Sequence, residues 1–163
     1  MGTRILIIKL AAIGDVLRTT PILPVLKEKY PQAYITWITD KSSLSVLEEN
    51  PHIDCLLTAN YENSLRLHVE KFDVLICLDK DTVASSLASL VQADQKLGFA
   101  LSEKGHLYPL NKEAYYLFRL GVSDELKFRQ NKKTYQQLIF DALGLGEKYG
   151  EYVINLPQKY TAY

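Results

Sequence analysis

Arg4 to Lys9 reads RILIIK, Leu10 to Asp15 reads LAAIGD, and Val16 to Pro31 reads VLRTTPILPVLKEKYP. An unbroken aliphatic run suits a strand whose two faces are both covered, as at the centre of a parallel sheet. The small-residue loop ends that run. Apolar positions then return at helical spacing through Val16, Leu17, Ile22, Leu23, Val25 and Leu26 until Tyr30-Pro31 stops them. Pro21 and Pro24 lack a backbone donor. The pattern therefore predicts a first turn from Asp15 that ends, and a second helix that begins at Pro21 with Thr20 as its cap.

Outward from this stretch the periodicity keeps alternating. YITWIT (34–39) predicts a second strand, DKSSLSVLEEN a short helix with Leu44 and Leu47 inward, and IDCLLT (53–58) a third strand. NSLRLHVEKF is amphipathic, FDVLICL (72–78) predicts a fourth strand, and a helix follows from Thr82 to Ala93 with Val83, Leu87, Leu90 and Val91 on one stripe. QKLGF (95–99) predicts a fifth strand. Strands alternating with helices at this spacing imply right-handed crossovers. The expected class is α/β and Rossmann-like: a mostly parallel open sheet with helices on both faces. After HLYPL come two tyrosine-containing helices, NKEAYYLFRLG and NKKTYQQLIFDALGLG, with Gly121 and Gly144 as stops. The tail EYVINLPQKYTAY predicts one more strand and then a polar end. The expected division is one domain over residues 1–156, with 157–163 opening a linker.

Composition narrows the partners. With 47% hydrophobic and 23% charged residues, a chain of 163 can bury one substantial core. Its 19 basic and 19 acidic side chains cancel, so the long-range field that gathers nucleic acid is missing and an anionic partner must be met by a local patch. Cys55 and Cys77 sit in apolar runs and read as buried thiols in a reducing, cytoplasmic setting. The apolar stretch Ile5 to Ile8 is too short for a signal sequence or a membrane span.

In an open α/β sheet, ligands bind beyond the carboxyl ends of the strands. This directs attention to loops 10–15, 39–42 and 79–81. The first brings Ala11, Ala12 and Gly14 where backbone can approach a ligand closely, and leaves Asp15 near a helix start. On spacing alone, Asp15 reads as a first-turn carboxylate. It also stands where a general base for a sugar hydroxyl would stand. A dinucleotide site would need G-x-G-x-x-G at this turn, and only Gly14 is present. Asp40 accordingly reads as a helix cap before Ser42 and Ser43. Asp79 and Asp81 flank Lys80, a group that could orient a polar ligand or cap the Thr82 helix. Arg119, Arg129, Lys132 and Lys133 could form a basic patch for an anionic acceptor or simply be solvated charges. His52, His68 and His106 lack metal-ligand spacing, so neither a metal nor a cofactor is expected.

The string KLAAIGDVLRTTPILPVLKEKYP resembles the opening motif of glycosyltransferase family 9, the ADP-heptose:lipopolysaccharide heptosyltransferases. FDVLICLDKD, QKLGF and NKKTYQQLIFDALGL are similar to later stretches of that family's N-terminal domain. The resemblance implies a GT-B architecture in which this chain is the acceptor-side half and a C-terminal domain binds the nucleotide-sugar donor. It places the family's catalytic base on Asp15, with Lys9, Gly14, Arg18, Thr19 and Thr20 supporting or lining the acceptor site. It further implies ADP-heptose as donor, a lipopolysaccharide core or related glycolipid as acceptor, inversion at the sugar, and peripheral contact with the inner membrane. Full members are about twice as long, so this stretch alone is expected to transfer no sugar. The competing reading is a glycan- or nucleotide-binding Rossmann-like module without catalysis. A receiver-like domain would need paired acids after strand one, where Leu10, Ala11 and Ala12 stand.

Overall fold

A computed structural model describes residues 2–147 and 149–154. Five parallel strands and one antiparallel strand form a single sheet in the order β3-β2-β1-β4-β5-β6. β1 (Arg4–Ile8) lies between β2 (Tyr34–Thr39) and β4 (Lys71–Cys77), while β3 (Cys55–Thr58) forms one edge. β5 (Gln92–Leu101) pairs with β4, and β6 (Leu107–Pro109) turns back against it. The α/β, Rossmann-like expectation holds. The chain runs outward from β1 through β2 and β3, then returns to the other side of β1 as β4, so the order reverses between β1 and β4.

The RILIIK run behaves as its composition demands. Ile5 and Ile7 enter one core with Trp37, Leu23 and Phe140. Leu6 and Ile8 enter the opposite core with Leu75, Leu87 and Leu67. Successive side chains of a strand point to opposite faces, and here both faces are sealed. The first core is roofed by α1 (Ile13–Thr19), α2 (Ile22–Lys29) and α6 (Tyr135–Leu143), and the second by α3 (Tyr61–Val69) and α4 (Thr82–Leu90).

Several local expectations are corrected. The helix does break at Pro21, with Pro24 inside the second helix, but Thr20 is not a cap: its hydroxyl donates to the Leu17 carbonyl at 2.8 Å, closing the first helix instead of opening the second. Asp40 begins a 3-10 helix over Lys41–Val46 yet makes no side-chain cap bond. On α4 the inward stripe is Ala84, Leu87, Ala88 and Val91, while Val83 and Leu90 are exposed. Small alanines let α4 lie close to the sheet, and its helix stops at Leu90 because β5 already starts at Gln92. Gly144 ends α6 in the left-handed region (φ 62°), whereas Gly121, after α5 (Tyr115–Leu120), keeps right-handed geometry. Residues 151–154 form no strand, and the expected linker at 157–163 lies outside the described residues.

One polar staple and one close backbone approach fix the elements that matter for the site. Asn111 accepts the Gly98 N–H at 2.8 Å and donates to the Ala142 carbonyl at 2.8 Å, tying the end of β5 to α6. At Gly98 (φ +97°) a Cβ would lie 1.9 Å from the Cys77 carbonyl oxygen, so only glycine permits β5 to approach β4 there. Among the described residues no helix is long and apolar enough to cross a membrane.

Candidate active-site cleft

The strand order reverses between β1 and β4, and a cleft of about 590 Å³ opens beyond their carboxyl ends. Its floor is the segment Lys9 to Ala12 after β1 and Leu78 to Asp81 after β4; Asp15, Asp40, Leu117, Tyr135 and Ile139 form its walls. A switch point of this kind is where open α/β sheets bind ligands, because the two loops diverge there.

Lys9 and Asp79 hold the floor. They form an ion pair with side chains only 4% and 8% exposed. The Lys9 ammonium also donates to the Ala11 carbonyl at 2.7 Å, and the Asp79 carboxylate accepts the Leu10 N–H. One lysine and one aspartate thus brace both ends of the small-residue loop. Burial pushes the Asp79 carboxyl up, against the pull of Lys9. The Lys9 carbonyl accepts the Trp37 indole N–H at 3.3 Å, which anchors the end of β1 to β2.

Asp15 sits in the first turn of α1, its N–H donating to the Ala12 carbonyl at 2.8 Å. Its side chain is 39% exposed. The carboxylate faces an open cleft and is not sealed beneath neighbours. Arg18, one turn on, pairs with it, and the Arg18 guanidinium lies 4.2 Å over the Tyr135 ring. The hydrogen bond from Arg18 to Asp15 holds that guanidinium above its ordinary value. Burial pushes the Tyr135 phenol up, against the pull of Lys9.

The other residues named from the sequence fall into place unevenly. Lys9 belongs to the floor, but its charge is committed to Asp79. Gly14 lies on α1, where a Cβ would meet nothing within 4 Å, so steric need does not explain the glycine. Thr19 and Thr20 are fully buried and donate to the Asp15 and Leu17 carbonyls. They support α1 and do not line the cleft. Asp81 caps α4, accepting from Val83 and Ala84 at 3.0 Å each, while Lys80 donates to the Leu117 carbonyl at 2.7 Å. Burial, helped by Lys127, lowers the Lys80 ammonium. Cys77, behind the floor, is pushed up to about 12 by burial and is no nucleophile. Among the described residues no group of three or more His, Cys, Asp or Glu could hold a metal ion.

Tyr135, Ile139 and Leu117 were missed as cleft residues. Thr134 and Gln137 form a capping box that starts α6, and its T-x-x-Q spacing is readable. Nothing local tells that this helix start folds back over residues 15–18.

No protein-family model matches the chain. Among solved structures, the family 9 glycosyltransferase of Veillonella parvula superposes on 97% of this chain with a TM-score of 0.63 and 25% identity. The chain resembles glycosyltransferase family 9. The family 9 protein is longer, and the chain spans 46% of it. Escherichia coli heptosyltransferase WaaC with ADP-2-deoxy-2-fluoro heptose, at 16% identity and a TM-score of 0.53 over 91% of this chain and 51% of that one, shares the fold. Among curated relatives, lipopolysaccharide heptosyltransferase 3 of E. coli is 29% identical over 97 residues, 52% of this chain and 28% of the relative. Lipopolysaccharide core heptosyltransferase OpsX of Haemophilus influenzae is 29% identical over 100 residues, 57% of this chain and 29% of the relative. The matched part is thus under a third of these curated relatives.

Proposed function

We propose that this chain is the acceptor-binding half of an inverting, heptosyltransferase-type glycosyltransferase with GT-B architecture, and that Asp15 is its general base. The observation that carries this reading is the Asp15 carboxylate, 39% exposed at the wall of the switch-point cleft. The resemblance to family 9 and the names of the curated relatives support the reaction class.

In the proposed reaction the acceptor hydroxyl lies in the cleft and gives its proton to Asp15 as its oxygen attacks the anomeric carbon of the donor sugar. The bond from that carbon to the nucleotide diphosphate breaks from the opposite face, so the configuration inverts. Arg18, braced on Tyr135, pairs with the carboxylate and holds it in place at the cleft wall. The donor is ADP-heptose and the acceptor a lipopolysaccharide core sugar. A donor-binding domain joined after about residue 156 holds the nucleotide and stabilises the leaving charge. The site works on the cytoplasmic side, in peripheral contact with the membrane that carries the acceptor. Lys9 and Thr19 support the base, and Gly14, Arg18 and Thr20 belong to the same motif.

The test is transfer of heptose from ADP-heptose to an inner-core oligosaccharide by a polypeptide joining this chain to a donor-binding domain. Asp15→Asn should abolish turnover while acceptor affinity stays within a few-fold. Unchanged turnover would remove Asp15 from the mechanism and favour a binding module. The chain by itself should transfer nothing.

A further inference from the structure

Four aspartates line the cleft, and three are committed. Asp15 pairs with Arg18, Asp79 with Lys9 and the Leu10 N–H, and Asp81 with the first N–H groups of α4. Among the described residues, the Asp40 carboxylate has no hydrogen bond or ion pair. Its place in the fold makes this unusual. Asp40 precedes a 3-10 helix with extended backbone (φ −69°, ψ 151°), the geometry in which an aspartate normally turns back to cap the following N–H groups. Its side chain makes no such bond.

The backbone under that side chain is pinned. The Asp40 N–H donates to the Leu10 carbonyl at 3.0 Å, its carbonyl accepts from Ser43 at 2.9 Å, and the neighbouring Thr39 hydroxyl donates to the same Leu10 carbonyl at 3.1 Å. The segment that leads from β1 to Asp15 is thus tied through the Leu10 carbonyl to the end of β2 and Asp40. A carboxylate carried on a pinned backbone at the cleft wall, with four lone-pair sites and no internal donor, is open to accept hydrogen bonds from a ligand.

We infer that Asp40 is an acceptor-recognition residue, which takes hydrogen bonds from hydroxyl groups on an uncharged face of the acceptor sugar and repels phosphate or carboxylate substituents at that position. This rests on the proposed acceptor role of the cleft and assigns to it a specificity-determining side chain. Two oxygens can chelate neighbouring hydroxyls, and a site that hydrogen-bonds a substrate hydroxyl discriminates against an analogue that lacks it. The negative charge supplies the discrimination against anions.

The experiment is calorimetric titration of this chain with a lipopolysaccharide inner-core oligosaccharide, comparing the unsubstituted protein with Asp40→Ala, Asp40→Asn and Asp15→Asn. Asp40→Ala should weaken binding about 10-fold or more, the loss of hydrogen bonds to a charged group, with Asp40→Asn between it and the unsubstituted chain. Because Asp40 supports nothing inside the fold, the melting temperature should move by less than about 2 °C. Undiminished affinity in Asp40→Ala overturns the inference while leaving the acceptor role of the cleft intact. A large drop in melting temperature also overturns it, since Asp40 would then be structural. If the unsubstituted chain binds no oligosaccharide, the acceptor role itself falls and takes the Asp40 assignment with it.

Discussion

Lys9 and Asp79, 70 positions apart in sequence, meet as a buried ion pair where the strand order reverses. A buried pair is costly to break on one side, because the remaining charge has neither water nor partner. Lys9→Met and Asp79→Ala should each lower the free energy of unfolding by about 3–5 kcal/mol. The double variant Lys9→Met/Asp79→Leu should recover much of that loss. Urea unfolding of the three variants measures it, and a double variant as unstable as the sum of the singles would contradict a simple pair.

Arg18 behaves differently because it and Asp15 are both partly exposed, at 49% and 39% of the side chain. An exposed pair contributes at most about 1 kcal/mol, and stacking on an aromatic ring about as much again. Arg18→Met should therefore lower the thermal midpoint by no more than about 8 °C, yet it should slow transfer once a donor-binding domain is supplied. Tyr135→Phe, which keeps the ring under the guanidinium, should retain most turnover, and Tyr135→Leu should resemble Arg18→Met. Steady-state kinetics distinguish these outcomes.

At Gly98 the backbone lies in the left-handed region and the neighbouring strand leaves no room for a Cβ. Gly98→Ala should destabilise the fold by more than about 1 kcal/mol. Gly14→Ala, at a helical position with open space around it, should be neutral or slightly stabilising. Chemical denaturation of the two variants side by side provides the comparison.

Acid sensitivity should come from the opposite end of the sheet. Burial pushes the Glu70 carboxyl up, but hydrogen bonds from Arg66 and Arg4 together pull it below its ordinary 4.5. At Asp54 burial is likewise outweighed, by Lys27 and the Ile35 N–H. A carboxylate depressed in the folded state adds stability above its unfolded value and loses it as pH falls through that value toward the folded one. Stability should decline below about pH 4.5, and Glu70→Gln with Asp54→Asn should flatten that decline in pH-dependent melts.

The sheet was legible because its central strands are continuous aliphatic runs whose length and spacing have few other solutions. Tyr34–Thr39 appears at the bounds its sequence suggested. Helix faces were less legible: α4 packs through Ala84 and Ala88, and alanine gives little periodic contrast beside Val83 and Leu90. Asp15 could be placed at the crevice from the β1 loop alone. The rest of the cleft could not, since Asp79 and Tyr135 join it only through pairing across the sheet and the return of α6. The position of Asp40 favours a cap, and only side-chain geometry reveals that its carboxylate makes no cap bond.

The Asn111 staple from Gly98 to Ala142 has a consequence for biosynthesis. Asp15 comes long before α6 in the chain, yet α6 is the cleft wall packed beside it, and Asn111 ties α6 to the end of β5. A ribosome that has released only the first 120 residues exposes a nascent sheet with an unroofed apolar flank around Ile5, Ile7 and Leu23. The cleft thus comes into being late, when α6 docks beside α1, and chaperone demand should peak just before that closure.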